Sequence, residues 1–107
     1  MQRIKRAGTP KQATTVNTTD ASQSLADLGV TLTSSSARGA DEQAQYVFIS
    51  VEDADVRMSF VTAATTSLGH LLVAGDTVVL EEQEIPEAEF ISAVAGAAAT
   101  LQITVEF

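Results

Sequence analysis

The chain of 107 residues has no cysteine and no tryptophan, and it has only one histidine, one tyrosine and two prolines. The absence of cysteine excludes disulfides, thiolate metal sites and cysteine nucleophiles. With a single histidine, any metal site would have to be built almost entirely from carboxylates. Aromatic residues make up only 5% of the chain, which argues against aromatic platforms for sugar rings. At this length we expect one domain with a modest core and no deep internal pocket.

Long hydrophobic runs are also missing. No apolar stretch approaches the roughly 20 residues that a membrane-spanning helix needs, so we expect no membrane partner. The N-terminus MQRIKRAGTPKQATT is basic, but it is not followed by the apolar segment of a secretory signal peptide. The sequence therefore predicts a soluble protein that is made in a cytoplasm.

Charge is distributed unevenly along the chain. Residues 1–11 contain four cations and no acid, whereas residues 12–107 contain two arginines and all 14 acidic residues. The net charge of −8 thus combines a +4 segment with a −12 body. Residues 1–20 are otherwise rich in Thr, Ser, Gln, Asn and Ala, which bury too little apolar surface to order a segment alone. We predict a basic, flexible N-terminal arm at 1–20 and an acidic body at 21–107.

The cations of the arm are its candidate partner-binding residues: Arg3, Lys5, Arg6 and Lys11. A cationic arm on an anionic body suits docking onto an acidic protein surface or onto a neighbouring copy. Nucleic acid is not an expected partner, because its phosphates would repel the body and the arm has no aromatic side chain for base stacking. A frayed terminus without a partner is the alternative.

Apolar residues that recur with a period of two predict an all-β fold. AQYVFISVE, VRMSFV, DTVVLEEQE, EAEFISAVA and TLQITVEF each predict a strand, and YVFISV, which is apolar on both faces, predicts a central one. GAAA at 96–99 favours a hairpin between the last two strands, and ATTV at 13–16 could add a strand to a sheet edge. Asp20 is placed to cap a short helical turn. We expect a small β-sandwich or jelly-roll-like barrel of five or six strands with an extended N-terminal arm.

The segment SLGHLLVAGDTVVLEEQE contains the one histidine, between two glycines. A pair of His70 and Asp76 could orient a general base, but no serine lies in a Gly-x-Ser-x-Gly turn. AGDTVVL resembles the turn that precedes a strand in cupins, which often bind metal, although the cupin histidines and glutamate are missing. We therefore predict that Gly69, Gly75 and Asp76 form a structural turn, and we expect no catalytic residue, cofactor or metal ligand.

Two acidic clusters leave alternatives open. Glu52, Asp53 and Asp55 could chelate a hard cation, but their spacing lacks the glycine of a calcium loop and favours a solvated corner. The glutamates between residues 81 and 89 could form a functional face, or they could keep an exposed strand edge soluble.

Three stretches share a recognisable order of elements: VFISVEDADVRMSF, TTSLGHLLVAGDTVVLE and AEFISAVAGAAATLQITVEF. The order is an apolar strand ending in A-x-V/I-R, a small-residue loop with Thr-x-x-x-Gly, the string h-l-x-a-G-D-x-x-x-L, a Phe-Ile strand and a final Ala-x-Leu-x-V/I-x-Tyr/Phe strand. In this order, residues 44–107 resemble a broad set of small structural proteins of tailed bacteriophages. Many of those proteins have DGT-x-PT where this chain has FVTAATT. The matching positions are Ala54, Val56, Arg57, Thr65, Gly69, Leu72, Gly75, Asp76, Leu80, Phe90, Ile91, Ala99, Leu101 and Phe107.

Such phage proteins are mostly head decoration (cement) proteins or small head–tail and tail components, with a β-sandwich or jelly-roll-like fold. The resemblance implies a non-enzymatic virion protein on the capsid exterior, which binds the major capsid protein and stabilises the head. We expect a homotrimer whose residues 1–20 reach over neighbouring capsid subunits. A tail or head–tail connector component is the first alternative, and a cupin-like or carbohydrate-binding β module is an alternative of another class.

Overall fold

The computed structural model of the protein describes residues 11–35, 41–60 and 62–107. These residues form β-strands and one 3-10 turn, and none of them belongs to a helix long and apolar enough to cross a membrane. The predicted all-β fold is confirmed. The elements are β1 (Lys11–Asn17), β2 (Gln23–Ser24), β3 (Thr33–Ser35), β4 (Asp41–Gln43), β5 (Tyr46–Val51), β6 (Val56–Phe60), β7 (His70–Leu72), β8 (Thr77–Glu81), the 3-10 turn Ile85–Glu87, β9 (Ala88–Ser92) and β10 (Thr100–Glu106).

Eight of the strands form two antiparallel sheets of four. The first sheet has the order β1-β10-β5-β8, and the second has the order β2-β9-β6-β7. Each strand of the first sheet is joined through the chain to the strand at the same place in the second: β1 to β2, β9 to β10, β5 to β6 and β7 to β8. This is the strand order of a jelly roll. β3 and β4 form a separate two-stranded ribbon between β2 and β5.

The core lies between the two sheets and follows the predicted period of two. Along β5, Val47, Ile49 and Val51 are buried in the core, whereas the alternate residues lie half-buried on the outer face. β5 is an interior strand of its sheet, as its two apolar faces predict. From the second sheet, Phe90 contributes the largest fully buried side chain. The interior is therefore filled by apolar side chains.

The expected hairpin between the last two strands is wrong. β9 lies in the second sheet and β10 in the first, so residues 93–99 cross from one sheet to the other. Gly96 does lie in a tight turn, where the N–H of Ala97 donates to the carbonyl of Val94 at 3.0 Å. Both flanking strands have apolar faces to bury, and they bury them from opposite sides of one core.

Asp20 does not cap a helical turn. Its carboxylate accepts a hydrogen bond from the N–H of Gly96 at 3.0 Å and so holds the 93–99 connection. The short helical turn begins instead at Ser24, whose carbonyl accepts from the N–H of Leu28 at 3.0 Å. Ser24 Oγ accepts from the N–H of Asp27 at 3.2 Å, and Asp27 Oδ2 accepts from the N–H of Ser24 at 3.3 Å. This reciprocal pair has the form of a capping box.

The predicted boundary between arm and body changes. Residues 11–17, assigned to a flexible arm at 1–20, form β1 and pair with β10 along their whole length. ATTV at 13–16 thus lies in a strand at a sheet edge, as its composition allowed. Thr18 is also part of the body, because its buried hydroxyl contacts Ser92 Oγ at 2.9 Å. Residues 1–10 lie outside the described residues.

Candidate functional site

His70 lies exposed on β7, an edge strand of the second sheet. Its ring contacts the ring of Phe60, with centroids 6.4 Å apart and planes tilted by 58°. Asp76 is engaged elsewhere, since its Oδ2 accepts from the N–H of Val73 at 2.9 Å. Within the described residues no group of three or more His, Asp or Glu side chains is placed to hold a metal ion. Asp76 thus serves the turn, as the alternative to a His–Asp catalytic pair predicted.

Gly75 and Asp76 form the turn between β7 and β8. Gly75 has a φ of +96°, a conformation that glycine adopts readily. The N–H of Asp76 donates to the carbonyl of Val73 at 2.9 Å, which closes the turn. The turn is joined to the end of β5, because Val51 exchanges hydrogen bonds with Gly75 and Asp76 at 2.7 and 2.9 Å. These residues position strands of the first sheet.

The acidic corner between β5 and β6 is used to cap loops. Asp53 Oδ1 accepts from the N–H of Thr100 at 2.8 Å, and Oδ2 accepts from the Thr100 hydroxyl at 3.0 Å. Asp55 Oδ1 accepts from the N–H of Ala74 at 3.4 Å. Both carboxylates thus receive donors from neighbouring connections. A structural role accounts for their position.

The Thr100 backbone N–H and then its hydroxyl hold the pKa of Asp53 below its ordinary value of 3.8. A carboxyl whose pKa is lowered by folding stabilises the protein above its unfolded pKa, and this stabilisation is lost as the pH falls through the folded pKa. Asp53→Asn should therefore lower the melting temperature at pH 7. The difference in melting temperature between this variant and the unchanged protein should become smaller below pH 3.8. Thermal unfolding at pH 7 and at pH 2.5 measures this difference. Glu52→Gln is the control at the neighbouring residue. If Asp53→Asn lowered the melting temperature equally at both pH values, the Thr100 donors would not be stabilising the ionised Asp53 carboxylate.

The surface that the structure describes is strongly anionic. Among residues 12–33, 43–60 and 62–107, Arg57 is the only lysine or arginine. Its side chain is half-buried, and Nη1 donates to the carbonyl of Gly69 at 3.1 Å, which ties β6 to the segment before β7. Of the predicted partner-binding cations, Arg3, Lys5 and Arg6 lie outside the described residues, and Lys11 begins β1. The body itself offers little positive charge to an anionic ligand.

Among the described residues, β1 is the longest of the four strands at the edges of the two larger sheets. It has seven residues with no proline inside it, whereas β2 has two, β7 has three and β8 has five. β8 ends at Glu81 and is followed by Glu82 and Glu84, which protect an edge against pairing with other chains. β1 contains no acidic residue. It is therefore the edge best suited to pair with an additional strand.

The hydrogen bonds of β1 show which of its backbone groups point away from β10. The N–H of Thr18 donates to the carbonyl of Ala99 at 2.9 Å, in continuation of the β1–β10 register. In an antiparallel pair, residues alternate between those bonded to the partner and those whose N–H and C=O point away. Even-numbered residues of β1 therefore face β10, and Ala13, Thr15 and Asn17 direct their backbone groups outward. All three are exposed, so this edge is the candidate docking site.

A second surface feature had no signal in the sequence. Leu32, Ala44, Ile85 and Pro86 come from separate segments and line one apolar groove at the end of β8. They lie in predicted loops or at strand ends, and of the four only Ile85 and Pro86 are adjacent in the sequence, so no periodic pattern marks the groove. The groove exists because Leu32 and Ala44, which flank the β3–β4 ribbon, lie beside the 3-10 turn.

Comparisons with protein-family models, with curated proteins and with solved structures gave no match. The features that bear on function are therefore the docking edge, the division of charge and the resemblance of residues 44–107 to phage structural proteins.

Proposed function

We propose that this protein is a non-enzymatic structural protein of a tailed-phage virion, a decoration (cement) subunit that binds the major capsid protein on the capsid exterior and stabilises the head. The observation that carries the proposal is β1, an edge strand with outward-facing backbone groups that follows directly on a basic segment. Backbone groups pair with an extended segment of a partner, and the cations pair with acidic residues beside it.

The fold supports this function without selecting it alone. Jelly rolls occur in viral capsid proteins, but also in lectins and cupins. A cupin-like function would need polar ligands inside the barrel, whereas the inward residues of β5, β9 and β10 include Ile49, Phe90 and Leu101, all buried in the core. The interior observed here favours a protein that acts through its surface.

The positions that carry the phage resemblance are mainly positions of the fold. Leu72, Leu80, Phe90 and Leu101 are buried in the core, and Gly75 lies in a turn. They support a shared architecture with the phage proteins. The docking edge lies in residues 11–17, outside the matched region, and would be particular to this chain.

Binding at several capsid sites at once would strengthen the modest contact that a single β1 edge makes. One added strand contributes a few main-chain hydrogen bonds, each with a net effect of about 1 kcal/mol. A homotrimer that engages several lattice sites at once would bind far more tightly than one subunit. The 93–99 connection suits the contact between subunits, because Val94 is 62% exposed and the small side chains Ala95 and Ala98 are exposed beside it. Small residues there allow backbones to approach closely.

Ala13→Pro is expected to weaken binding to undecorated capsids about tenfold or more, because it removes one outward N–H and introduces a ring at the docking edge. Proline is tolerated at an edge strand when its missing N–H faces away from the ladder, so the melting temperature should change little. Co-sedimentation of purified protein with undecorated capsids measures the binding.

Thr14→Pro is the matched control. The N–H of Thr14 faces Ile103 in the ladder, so this variant should lose stability as well as binding. Unchanged capsid binding by Ala13→Pro would contradict docking through β1.

The number of copies per purified particle distinguishes a cement protein from a tail or head–tail connector component. A cement protein is abundant, whereas a connector is present in few copies.

A further inference from the structure

The apolar groove at the end of β8 is shallow and small. It has a volume of about 240 Å³ and is lined by Leu32, Ala44, Ile85 and Pro86, with Gln43 and Glu82 at its rim. Ala44 and Ile85 form a buried floor, and Leu32 is half-buried. Drug-sized ligands occupy sites of roughly 300–1,000 Å³. This groove therefore suits one aliphatic side chain rather than a small molecule.

The rim of the groove is negatively charged. Glu81 at the end of β8 is exposed, and so are Glu82 and Glu84 on the turn that follows it. A second depression, lined by Gln45, Tyr46, Glu81 and Glu82, continues from the groove across the end of the first sheet. A peptide that fits this surface would present one aliphatic side chain with cations on both sides of it.

The first residue of β1 lies at the same end of the sheet. The register aligns Lys11 with Glu106, Glu106 with Tyr46, and Tyr46 with Glu81, in one row across four strands. Three strand spacings of about 4.8 Å make this row about 14 Å wide. Glu106, in the middle of the row, is 1% exposed although it lies on the outer face of the sheet.

The segment that precedes Lys11 has the required chemistry. Residues 3–6 read RIKR, in which Ile4 is the one branched aliphatic residue between cations. Six residues lie between Ile4 and Lys11, and the seven residue steps that join them span up to about 23 Å when extended, more than the width of the row. Gly8 and Pro10 are turn-forming residues and allow the chain to reverse its course just before β1.

We propose that residues 3–6 bind in the groove of their own chain, with the Ile4 side chain in the groove and the neighbouring cations against Glu81, Glu82 and Glu84. The chain's own segment is favoured over a second copy, because a short tether gives an effective concentration in the millimolar range. This inference does not depend on the capsid function. An acidic capsid surface would compete with the groove for the same segment.

Disulfide trapping in the isolated full-length protein tests the proposal, because the chain has no native cysteine. Gln2→Cys beside the anchor is paired with Gln43→Cys at the rim, and the control pairs Gln2→Cys with Ala95→Cys in the 93–99 connection. The intrachain disulfide should form at least about tenfold faster in the groove pair than in the control pair. High salt should reduce this difference in rate, because it screens the ion pairs. Adding Ile4→Asp to the groove pair should reduce its rate to that of the control.

Equal rates in the groove pair and the control would overturn the proposal. Disulfide-linked dimers of the groove pair, seen on a non-reducing gel in place of the intrachain product, would assign the groove to a second copy and overturn it as well. Because the trapping experiment contains no capsid, neither of these results bears on the proposed function, which the capsid co-sedimentation tests separately.

Discussion

Phe90→Ala is expected to lower the free energy of unfolding by about 3–5 kcal/mol, the usual cost of deleting a buried aromatic ring. Phe90 is fully buried in β9 and lies between Gln23 of β2 and Met58 of β6 in the ladder. Neighbouring side chains are held by both sheets and can refill the space only in part. Since small domains have a total stability of about 5–15 kcal/mol, a large share of it would be lost.

Urea unfolding followed by circular dichroism measures the effect as a lower midpoint with an unchanged slope. Phe60→Ala is the matched control on the adjacent strand, because Phe60 is only half-buried and part of its ring is already hydrated. The control should lose clearly less stability. Equal losses in the two variants would show that the core is not centred on Phe90.

Gly69→Ala is expected to destabilise the protein by at least about 2 kcal/mol, for two additive reasons. Gly69 has a φ of +122°, which strains any residue with a side chain. A Cβ at this position would lie 2.9 Å from the backbone carbonyl oxygen of Met58, and neither backbone can move without breaking the β6–β7 pair. The carbonyl of Gly69 also accepts the Arg57 hydrogen bond, which the shift would disturb.

Gly75→Ala is the control that separates the effect of the positive φ from the effect of the close approach to Met58. Gly75 also has a positive φ, but a Cβ there would meet no atom within 4 Å. This variant should lose only about 1–2 kcal/mol, the cost of left-handed backbone for a residue with a side chain. Thermal or urea unfolding of both variants gives the difference. A Gly75→Ala loss as large as that of Gly69→Ala would show that the close approach to Met58 has no effect.

The strands could be predicted where the pattern was local. VRMSF and TLQITVE alternate strictly, YVFISV is apolar on both faces, and each became a strand with an apolar face in the core. The turn at Gly75 and Asp76 was also readable, since its residue types are those that turns require. The capping turn was misassigned to Asp20, although Ser24 and Asp27 carry the spacing of a capping box. Asp20 instead bonds to Gly96, a residue 76 positions away.

The candidate docking site could be predicted only in part. ATTV had the composition of a strand, but its place at the sheet edge depends on pairing with β10 at the other end of the chain. The groove depends on three segments that are far apart in the sequence, namely the two ends of the β3–β4 ribbon and the 3-10 turn. Neither feature is encoded by a local period, because both arise from contacts between residues far apart in the sequence.

By itself, the sequence determined the chemistry that the protein lacks, the division between a basic N-terminal segment and an acidic body, and the all-β pattern. Only the tertiary structure decided the jelly-roll strand order, the place of β1 at the edge of its sheet and the position of Glu81 and Glu82 across the sheet from the start of that strand. The physical reason is that composition and period two act on each segment separately. The choice of neighbours depends on how all the apolar faces are buried in one core.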